Sequence, residues 1–158
     1  MMKKVVLFDI DYTLFDTEKF KGTNLQTFAL YKEAVDVLEK LKDTVYLGIF
    51  SEGNLDLQKT KLIKTKIHSS FTRKHIHIVV NKEERIEQVL KKYKNCLVFL
   101  VDDKLTVLCQ AKKLLPSLVA IWVKRGIYAE KQLPINGFTP DAIIENLREL
   151  IPIILKDK

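Results

Sequence analysis

Polar side chains that could share one reaction site follow, or lie just beyond, four short apolar stretches of the sequence. They are Asp9, Asp11, Thr13, Ser51, Lys82, Asp102 and Asp103. An aspartate carboxylate can attack a phosphorus atom and form an acyl phosphate. A second carboxylate two residues away can protonate the leaving oxygen and later activate a water molecule. The spacing of Asp9 and Asp11 therefore favours phosphoryl transfer.

The other residues of this set supply the charge balance that a phosphate needs beside a carboxylate. Mg²⁺ binds one or two carboxylates together with phosphate and water oxygens, and it removes the repulsion between the anions. A lysine such as Lys82 and a hydroxyl such as that of Ser51 can hold the phosphoryl oxygens while charge is redistributed. Acids that directly follow a buried strand, like Asp9 and Asp11, are costly unless a cation lies near them. We therefore predict a magnesium cofactor.

Short β-rich runs separated by helical segments must position these residues. Five runs are predicted strands, at residues 4–8, 45–50, 76–80, 97–101 and 118–123. Between them, apolar residues recur at helical spacing. The stripes are Tyr31, Ala34, Val35, Leu38 and Leu41; Ile86, Val89, Leu90 and Tyr93; and Val107, Leu108, Ala111, Leu114 and Leu115. Residues 54–66 form a weaker helix pattern, and the tail from residue 139 could open a helix or form a sixth short strand before one.

Strands that alternate with helices predict an α/β fold with a parallel sheet. Continuous apolar runs such as residues 97–101 are typical of strands that are covered on both faces. The sequence shows no internal repeat, linker or low-complexity tract. We therefore predict one three-layer, Rossmann-like domain over residues 1–158, with a central, mainly parallel sheet of five or six strands. In such sheets ligands bind beyond the carboxyl ends of the strands, where the polar residues named above fall.

The segments after the first two predicted strands resemble motifs of the haloacid dehalogenase-like hydrolase superfamily. Residues 9–14, DIDYTL, resemble its DxDxT first motif, which directly follows an apolar strand. Residues 49–54, IFSEGN, resemble the second motif, and Gln58 and Lys61 belong to the helix that follows it. Both segments stand in the sequence context that the superfamily requires.

The later motifs of the superfamily follow in the same order. Lys82 resembles the lone lysine of the third motif, and residues 99–103, FLVDD, resemble the acidic fourth motif. Residues 121–126, IWVKRG, resemble the fifth strand and the glycine after it. The resemblance covers nearly the whole chain. It implies a magnesium-dependent phosphomonoester hydrolase that acts through an aspartyl-phosphate intermediate.

The resemblance also implies a role for each matching residue. Asp9 would be the nucleophile and Asp11 the general acid and base. Ser51 and Lys82 would bind the phosphoryl group, with Lys82 bridging Asp9 and the phosphate. Thr13 would brace the loop rather than take part in chemistry.

The implied metal ligands are Asp9, Asp11 through its backbone carbonyl, Asp102 and Asp103. Asp102 would bind magnesium, and Asp103 would support it directly or through water. The fourth motif departs from the usual pattern, because Val101 stands where members often have glycine and no acid follows within residues 104–107. The division of roles between the two aspartates therefore stays open. Lys74 is a rival to Lys82, although Lys82 is favoured because it opens a helix after a strand.

Two other functions remain alternatives at this point. A 2-haloacid dehalogenase-type hydrolase would use Asp9 but would need neither magnesium nor an acid at Asp11, so Asp11 argues against it. A non-enzymatic phosphate-binding or interaction module could keep the fold. The intact set of polar residues argues against such decay. His75 and His77 lack a third ligand nearby in the sequence and are interpreted as structural, as are Cys96 and Cys109.

The spacing of the motifs leaves no room for the cap domain that the superfamily often inserts. Residues 16–30 suffice for a loop or hairpin but not for a unit with its own core. The intervals from Ser51 to Lys82 and from Lys82 to Asp102 each hold one helix and one strand. We therefore expect an open site and a phosphorylated substrate that could be large or polyanionic.

Composition and charge limit the remaining classes. The 158 residues are 47% hydrophobic and 30% charged, which is typical of a globular protein, and no apolar run is long enough to span a bilayer. Two cysteines make no disulfide framework, so a cytoplasmic location is expected. The net charge of +7 favours anionic partners, but its scattered lysines support nucleic acid only weakly. The substrate and the oligomeric state cannot be read from the sequence.

Overall fold

The computed structural model describes residues 1–156 and places six parallel strands in one sheet. In chain order they are β1 (Lys3–Phe8), β2 (Tyr46–Glu52), β3 (Ile76–Val79), β4 (Cys96–Asp102), β5 (Val119–Val123) and β6 (Ala142–Ile144). Their order across the sheet is β3-β2-β1-β4-β5-β6, and every neighbouring pair is parallel. This arrangement confirms the predicted α/β, Rossmann-like fold. It also puts the carboxyl ends of all six strands at one edge.

Within residues 1–156, six helices lie between the strands and a seventh follows the last strand. They are α1 (Thr17–Gly22), α2 (Ala34–Leu41), α3 (Leu55–Lys64), α4 (Lys82–Leu90), α5 (Leu105–Leu114), α6 (Ile127–Lys131) and α7 (Leu150–Leu155). Short 3₁₀ turns at His68–Ser70, Arg73–His75, Lys91–Tyr93 and Leu147–Glu149 complete the connections. In the tail, β6 followed by α7 matches the strand alternative rather than a helix from residue 139.

Two apolar layers cover the two faces of the sheet. On one face, α2 and α7 pack on the strands, joined by Leu62 of α3. On the other face, α4 and α5 pack on Leu7, Leu100 and their neighbours. The central strands are therefore buried on both sides, which explains why residues 97–101 read as a continuous apolar run.

The helix predicted around residues 31–41 is shorter than its apolar stripe. It begins at Ala34, and its buried residues are Ala34, Val37, Leu38 and Leu41. Val35, assigned to the buried stripe from its sequence position, is 51% exposed. Tyr31 lies before the helix, where its ring stacks 3.6 Å from the Arg125 guanidinium carbon. Its apolar ring is therefore used in a loop contact and not on the helix face.

The segment between β1 and α2 contains one six-residue helix, α1, and no inserted domain within residues 1–156. The rings of Phe15, Phe20 and Phe28 pack edge to face or tilted at centroid distances of 4.9–6.1 Å. This small aromatic cluster fixes α1 against the sheet. Among the residues described, no helix is long and apolar enough to cross a membrane.

Candidate active site

At the carboxyl edge of the sheet, four of the seven predicted polar residues line one cavity, whereas Thr13, Ser51 and Asp102 are buried and do not line it. Asp9 directly follows β1, and its backbone N–H donates to the carbonyl of Val101 in β4 at 3.0 Å. Asp102 ends β4, and Lys82 opens α4 after β3. The cavity has a volume of about 320 Å³ and is lined by both acidic and basic side chains, among them Asp9, Asp11, Lys82 and Asp103.

Lys82 lies between two carboxylates at the bottom of this cavity. Its Nζ is 3.1 Å from Asp9 Oδ1 and 2.7 Å from Asp102 Oδ2, and all three side chains are buried. Burial alone lowers the pKa of Lys82, but the charges of Asp102 and Asp9 outweigh it and raise the pKa above its ordinary value. Lys82 therefore stays protonated, as a ligand for anionic oxygens must. Lys74, the rival lysine, instead lies 5.8 Å from the ring of Tyr46.

Asp103 completes a buried acidic cluster with Asp9 and Asp102. One carboxylate oxygen from each of the three lies within 4.8 Å of the others. Both side-chain oxygens of Asp103 are buried and have no hydrogen-bond partner among residues 1–156. Burial first, and then the charges of Asp9 and Asp102, raise the pKa of Asp103. Burial likewise raises the pKa of Asp9. One lysine does not balance three carboxylates, and oxygen ligands of this kind fit Mg²⁺.

The two adjacent aspartates differ in what they already contact. Asp102 Oδ2 accepts from Lys82, and its Oδ1 accepts from the backbone N–H of Lys104 at 2.8 Å. The carbonyl oxygen of Asp103 accepts from Trp122 Nε1 at 2.9 Å, while its carboxylate is free of such bonds. Both carboxylate oxygens of Asp103 are therefore available for a cation, whereas each oxygen of Asp102 already accepts one hydrogen bond.

Asp11 lies apart from this cluster, at the side of the cavity formed by α1 and α3. Its Oδ1 accepts from Lys61 Nζ at 2.7 Å and from Thr17 Oγ1 at 3.0 Å, and its Oδ2 accepts from Gln58 Nε2 at 3.1 Å. The Asp11 side chain is 28% exposed, so solvent reaches it, whereas that of Lys61 is 6% exposed. Asp11 is thus fixed by three donors beside the buried cluster.

Sequence reasoning gave Lys61, Gln58 and Thr17 no role in the site. Gln58 and Lys61 are three residues apart in α3, which puts them on one helix face, and both are buried although polar. A long polar pair at this spacing after the second motif is the signal that could have identified them. Thr17 carried no such signal, because a hydroxyl at the start of a helix is common without any function.

Ser51 and Glu52 end β2, and Glu52 lines the cavity whereas Ser51 does not. Ser51 is fully buried, and its Oγ accepts from Gln58 Nε2 at 2.8 Å. Glu52 Oε2 accepts from the backbone N–H of Lys82 at 2.8 Å, which fixes the start of α4. Glu52 was not among the predicted site residues, although it lines the cavity.

The loop after β1 is held by residues at the end of β5. Tyr12 has a φ of 58°, and its backbone N–H donates to Thr17 Oγ1 at 3.0 Å. Gly126 has a φ of +83°, and a Cβ there would lie 2.3 Å from Tyr12 Cδ1. Arg125 donates to the carbonyl of Thr13 at 2.9 Å, which ties down the loop, although the Thr13 hydroxyl itself is buried without a partner among residues 1–156. These contacts place Asp9 and Asp11.

The histidines and cysteines lie outside this cluster. His75 Nδ1 and His77 Nε2 both contact the Tyr93 hydroxyl, at 3.0 and 2.6 Å. Burial lowers the pKa of His77 to about 4, so this ring is neutral at physiological pH. Cys96 and Cys109 are free thiols.

Solved structures resemble this chain over nearly its whole length. One is assigned as a haloacid dehalogenase-like hydrolase of Burkholderia xenovorans LB400, with a TM-score of 0.79, 19% identity and 97% of each chain covered. Another is YfnB of Bacillus subtilis, assigned as a HAD-hydrolase and solved bound to magnesium, with a TM-score of 0.73 and 13% identity over 99% of this chain and 100% of the other. A third, assigned as a phosphatase of Clostridium difficile, has a TM-score of 0.72 and 19% identity over 98% of this chain and 100% of the other.

These likenesses show that the chain has the haloacid dehalogenase-like fold, as the motifs predicted. Searches with the sequence alone match no family model and no curated protein. The identities are low, so the chemistry of the site must be argued from its own residues.

Proposed function

We propose that this protein is a magnesium-dependent phosphomonoester hydrolase in which Asp9 carries the phosphoryl group. The observation that supports this most is a cluster of three buried carboxylates with one lysine bound to two of them, and a separate acid two residues after the first. Asp103 has two buried oxygens without a partner among residues 1–156. Asp11 stands to one side and reaches the solvent-accessible part of the cavity.

In the first step the Asp9 carboxylate oxygen attacks phosphorus, and the bond from phosphorus to the leaving oxygen breaks. The electron pair of that bond stays on the leaving oxygen, which takes a proton from the Asp11 carboxyl group. Lys82 lines the cavity and would hold a phosphoryl oxygen, and the resemblance adds the hydroxyl of the buried Ser51. The product is an aspartyl-phosphate at Asp9.

In the second step Asp11, now ionised, takes a proton from a water molecule. The water oxygen attacks phosphorus, and the bond from phosphorus to the Asp9 oxygen breaks. Phosphate leaves and the Asp9 carboxylate is restored. The hydrogen bonds from Lys61, Thr17 and Gln58 keep the ionised Asp11 side chain in place for this transfer.

A bound magnesium ion would supply positive charge that allows a phosphate to enter a site with several carboxylates. Asp9 and Asp103 would hold it with their carboxylates, and the resemblance adds the Asp11 carbonyl. Asp102 would act mainly through Lys82, because both of its oxygens already have partners. This assignment is the reverse of the one that the sequence motif implied, in which Asp102 would bind magnesium and Asp103 would support it.

A carbon–halogen hydrolase on the same fold needs a nucleophilic aspartate but no acid in the position of Asp11. Here Asp11 is held by three donors on two helices. Three hydrogen bonds that fix this carboxylate have no use in that reaction. Without a metal ion, the carboxylates of the acidic cluster would also continue to repel one another. Phosphate ester hydrolysis is therefore the better supported of the two reactions.

The direct test is hydrolysis of a chromogenic aryl phosphate with magnesium and after exhaustive chelation. We expect activity that depends on magnesium and is abolished in D9N, because the amide keeps the shape of Asp9 but cannot attack phosphorus. D43N is the matched control, since Asp43 is an exposed aspartate away from the cavity. Full activity in D9N, or after chelation, would refute the proposal.

A further inference from the structure

The leaving group of any substrate must depart on the side of Asp11. The proton donor has to reach the leaving oxygen within hydrogen-bond distance. Asp11 contacts Thr17 of α1 and both Gln58 and Lys61 of α3. The leaving group therefore passes between α1 and α3, and the residues of these two elements at the cavity mouth meet it first.

Two leucines form the walls of this exit. Leu25, just after α1, is 56% exposed, and Leu57, in the first turn of α3, is 39% exposed. Both line the cavity of the active site. Exposed leucines are common singly, but two that line one cavity make an apolar contact for a ligand.

The backbone at Leu25 is strained. Asn24 and Leu25 have φ values of 55° and 63°, in the left-handed region that a leucine rarely adopts. The Leu25 N–H donates to the Phe20 carbonyl at 2.8 Å, so the conformation is held by the end of α1. Glycine would relieve this strain. A strained residue that is also exposed and apolar at a cavity mouth points to a use for its side chain there.

Lys21 adds a free positive charge at the same exit. The other three lysines that line the cavity each face a carboxylate, in the pairs Lys61–Asp11, Lys82–Asp9 and Lys104–Glu52. Lys21 has no ion-pair partner within the part of the chain that the structure describes. Its Nζ instead lies 3.4 Å from the Tyr12 hydroxyl.

We propose, on the basis of the phosphatase function proposed above, that Lys21, Leu25 and Leu57 form a subsite for the leaving group. It accepts phosphomonoesters whose leaving group carries a flat apolar or aromatic ring and a second anionic group. The ring lies between the two leucines, and the second anion is bound by Lys21. Nucleoside phosphates with a further phosphate have this chemistry, and simple sugar or glycerol phosphates lack it.

Three substrates with the same reacting 5′-oxygen test the subsite. They are ribose 5-phosphate, a nucleoside 5′-monophosphate and the corresponding nucleoside 3′,5′-bisphosphate, each assayed for release of the 5′-phosphate in the presence of magnesium. We expect the ring to raise kcat/KM about tenfold, which corresponds to ~1.4 kcal/mol. The second phosphate should raise it by about a further twofold to fivefold, as expected for a partly exposed ion pair.

Two variants test which residue gives each of these gains in kcat/KM. L25G removes the side chain and relieves the backbone strain, so it should fold at least as well as the wild type. Its ratio of kcat/KM for the nucleoside monophosphate to kcat/KM for ribose 5-phosphate should nevertheless fall towards one. K21Q should remove the advantage of the bisphosphate over the monophosphate and much of its salt dependence. K19Q on the same helix and L133A are controls, because both residues are exposed and neither lines the cavity.

The outcomes separate the subsite from the reaction. If none of the three esters is hydrolysed, and D9N and the wild type do not differ in hydrolysis of the aryl phosphate, the phosphatase function itself is wrong. If all three are hydrolysed with equal kcat/KM, or if L25G and K21Q keep the wild-type ratios, the reaction stands and the subsite is wrong. Ratios that collapse in L25G and K21Q but not in K19Q and L133A support the subsite.

Discussion

Replacement of Asp103 by asparagine tests whether the acidic cluster is built for a cation. Asp103 is buried within 4.8 Å of Asp9 and Asp102, measured between one oxygen of each. Two unit charges at that distance repel each other by about 3 kcal/mol at an effective dielectric constant near 20. Without metal, Asp103 has two carboxylate neighbours and lacks a donor. An asparagine at this position is uncharged, and its amide can donate to Asp9.

We therefore expect D103N to raise the metal-free free energy of unfolding by about 1–3 kcal/mol, because protonation already relieves part of the repulsion in the wild type. For a chain of this size that corresponds to roughly 2–12 °C in Tm. Magnesium should stabilise the wild type by about 2.7 kcal/mol at a concentration 100 times its Kd. D103N should lose most of this gain.

The assay is thermal unfolding followed by circular dichroism, with chelator and along a magnesium titration. D43N is the control for a lost surface charge, and D102N is the informative neighbour. Because Asp102 binds Lys82 and the Lys104 N–H, D102N should destabilise the metal-free protein instead. If D103N melted like the wild type without metal and kept the full magnesium shift, the assignment of Asp103 as a metal ligand would be wrong.

Three further changes have outcomes that the structure fixes. D11N should lower kcat by ~10²–10⁴-fold on a substrate with a poor leaving group and by less on an aryl phosphate with a good one; equal losses on both would contradict its role as the acid. Burial alone raises the pKa of Glu33, but the hydrogen bond and charge of Arg125, with backbone N–H groups, bring it below 4.5. The stability that Glu33 contributes is therefore lost as the pH falls below that value. E33Q should be about 1–3 kcal/mol less stable at neutral pH, and its Tm should change less with pH in an acid titration. G126A should lower the free energy of unfolding by about 2 kcal/mol or more and lower kcat, because its Cβ would lie 2.3 Å from the ring of Tyr12. The control is G137A, at a position with a φ of +76° and open space around it, which should lower the free energy of unfolding by only about 1 kcal/mol in the same melts.

The fold could be predicted from the sequence because two simple signals agreed. Apolar runs marked the strands, and stripes at helical spacing marked α4 and α5, so the parallel sheet followed. The predicted start of α2 was wrong, because the helix begins at Ala34 and not at Tyr31. The ring of Tyr31 satisfied the helical pattern, but the structure uses it to stack on Arg125. Periodicity tells which residues are apolar, and it does not tell which surface each of them covers.

The residues at the strand ends were also accessible from the sequence, since a strand fixes where its last residue lies. Asp9, Ser51 and Asp102 all follow or end strands and meet at one edge. The side chains that reach in from helices were harder to find. Lys61 is separated from Asp11 by fifty positions, and their contact of 2.7 Å depends on how α3 packs. Thr17 and Leu25 depend in the same way on the placement of α1.

Asp102 and Asp103 differ in the partners that their carboxylates already have, although one oxygen of each lies within 4.8 Å of the other and of Asp9. Asp102 reaches Lys82 across the sheet edge, and Asp103 reaches the space beside Asp9. Because a lysine already neutralises part of the charge on Asp9 and Asp102, the position without a partner is where a cation lowers the free energy most. In the proposed reaction the two adjacent acids would therefore act differently, with Asp102 orienting Lys82 towards the phosphate and Asp103 binding the metal beside Asp9.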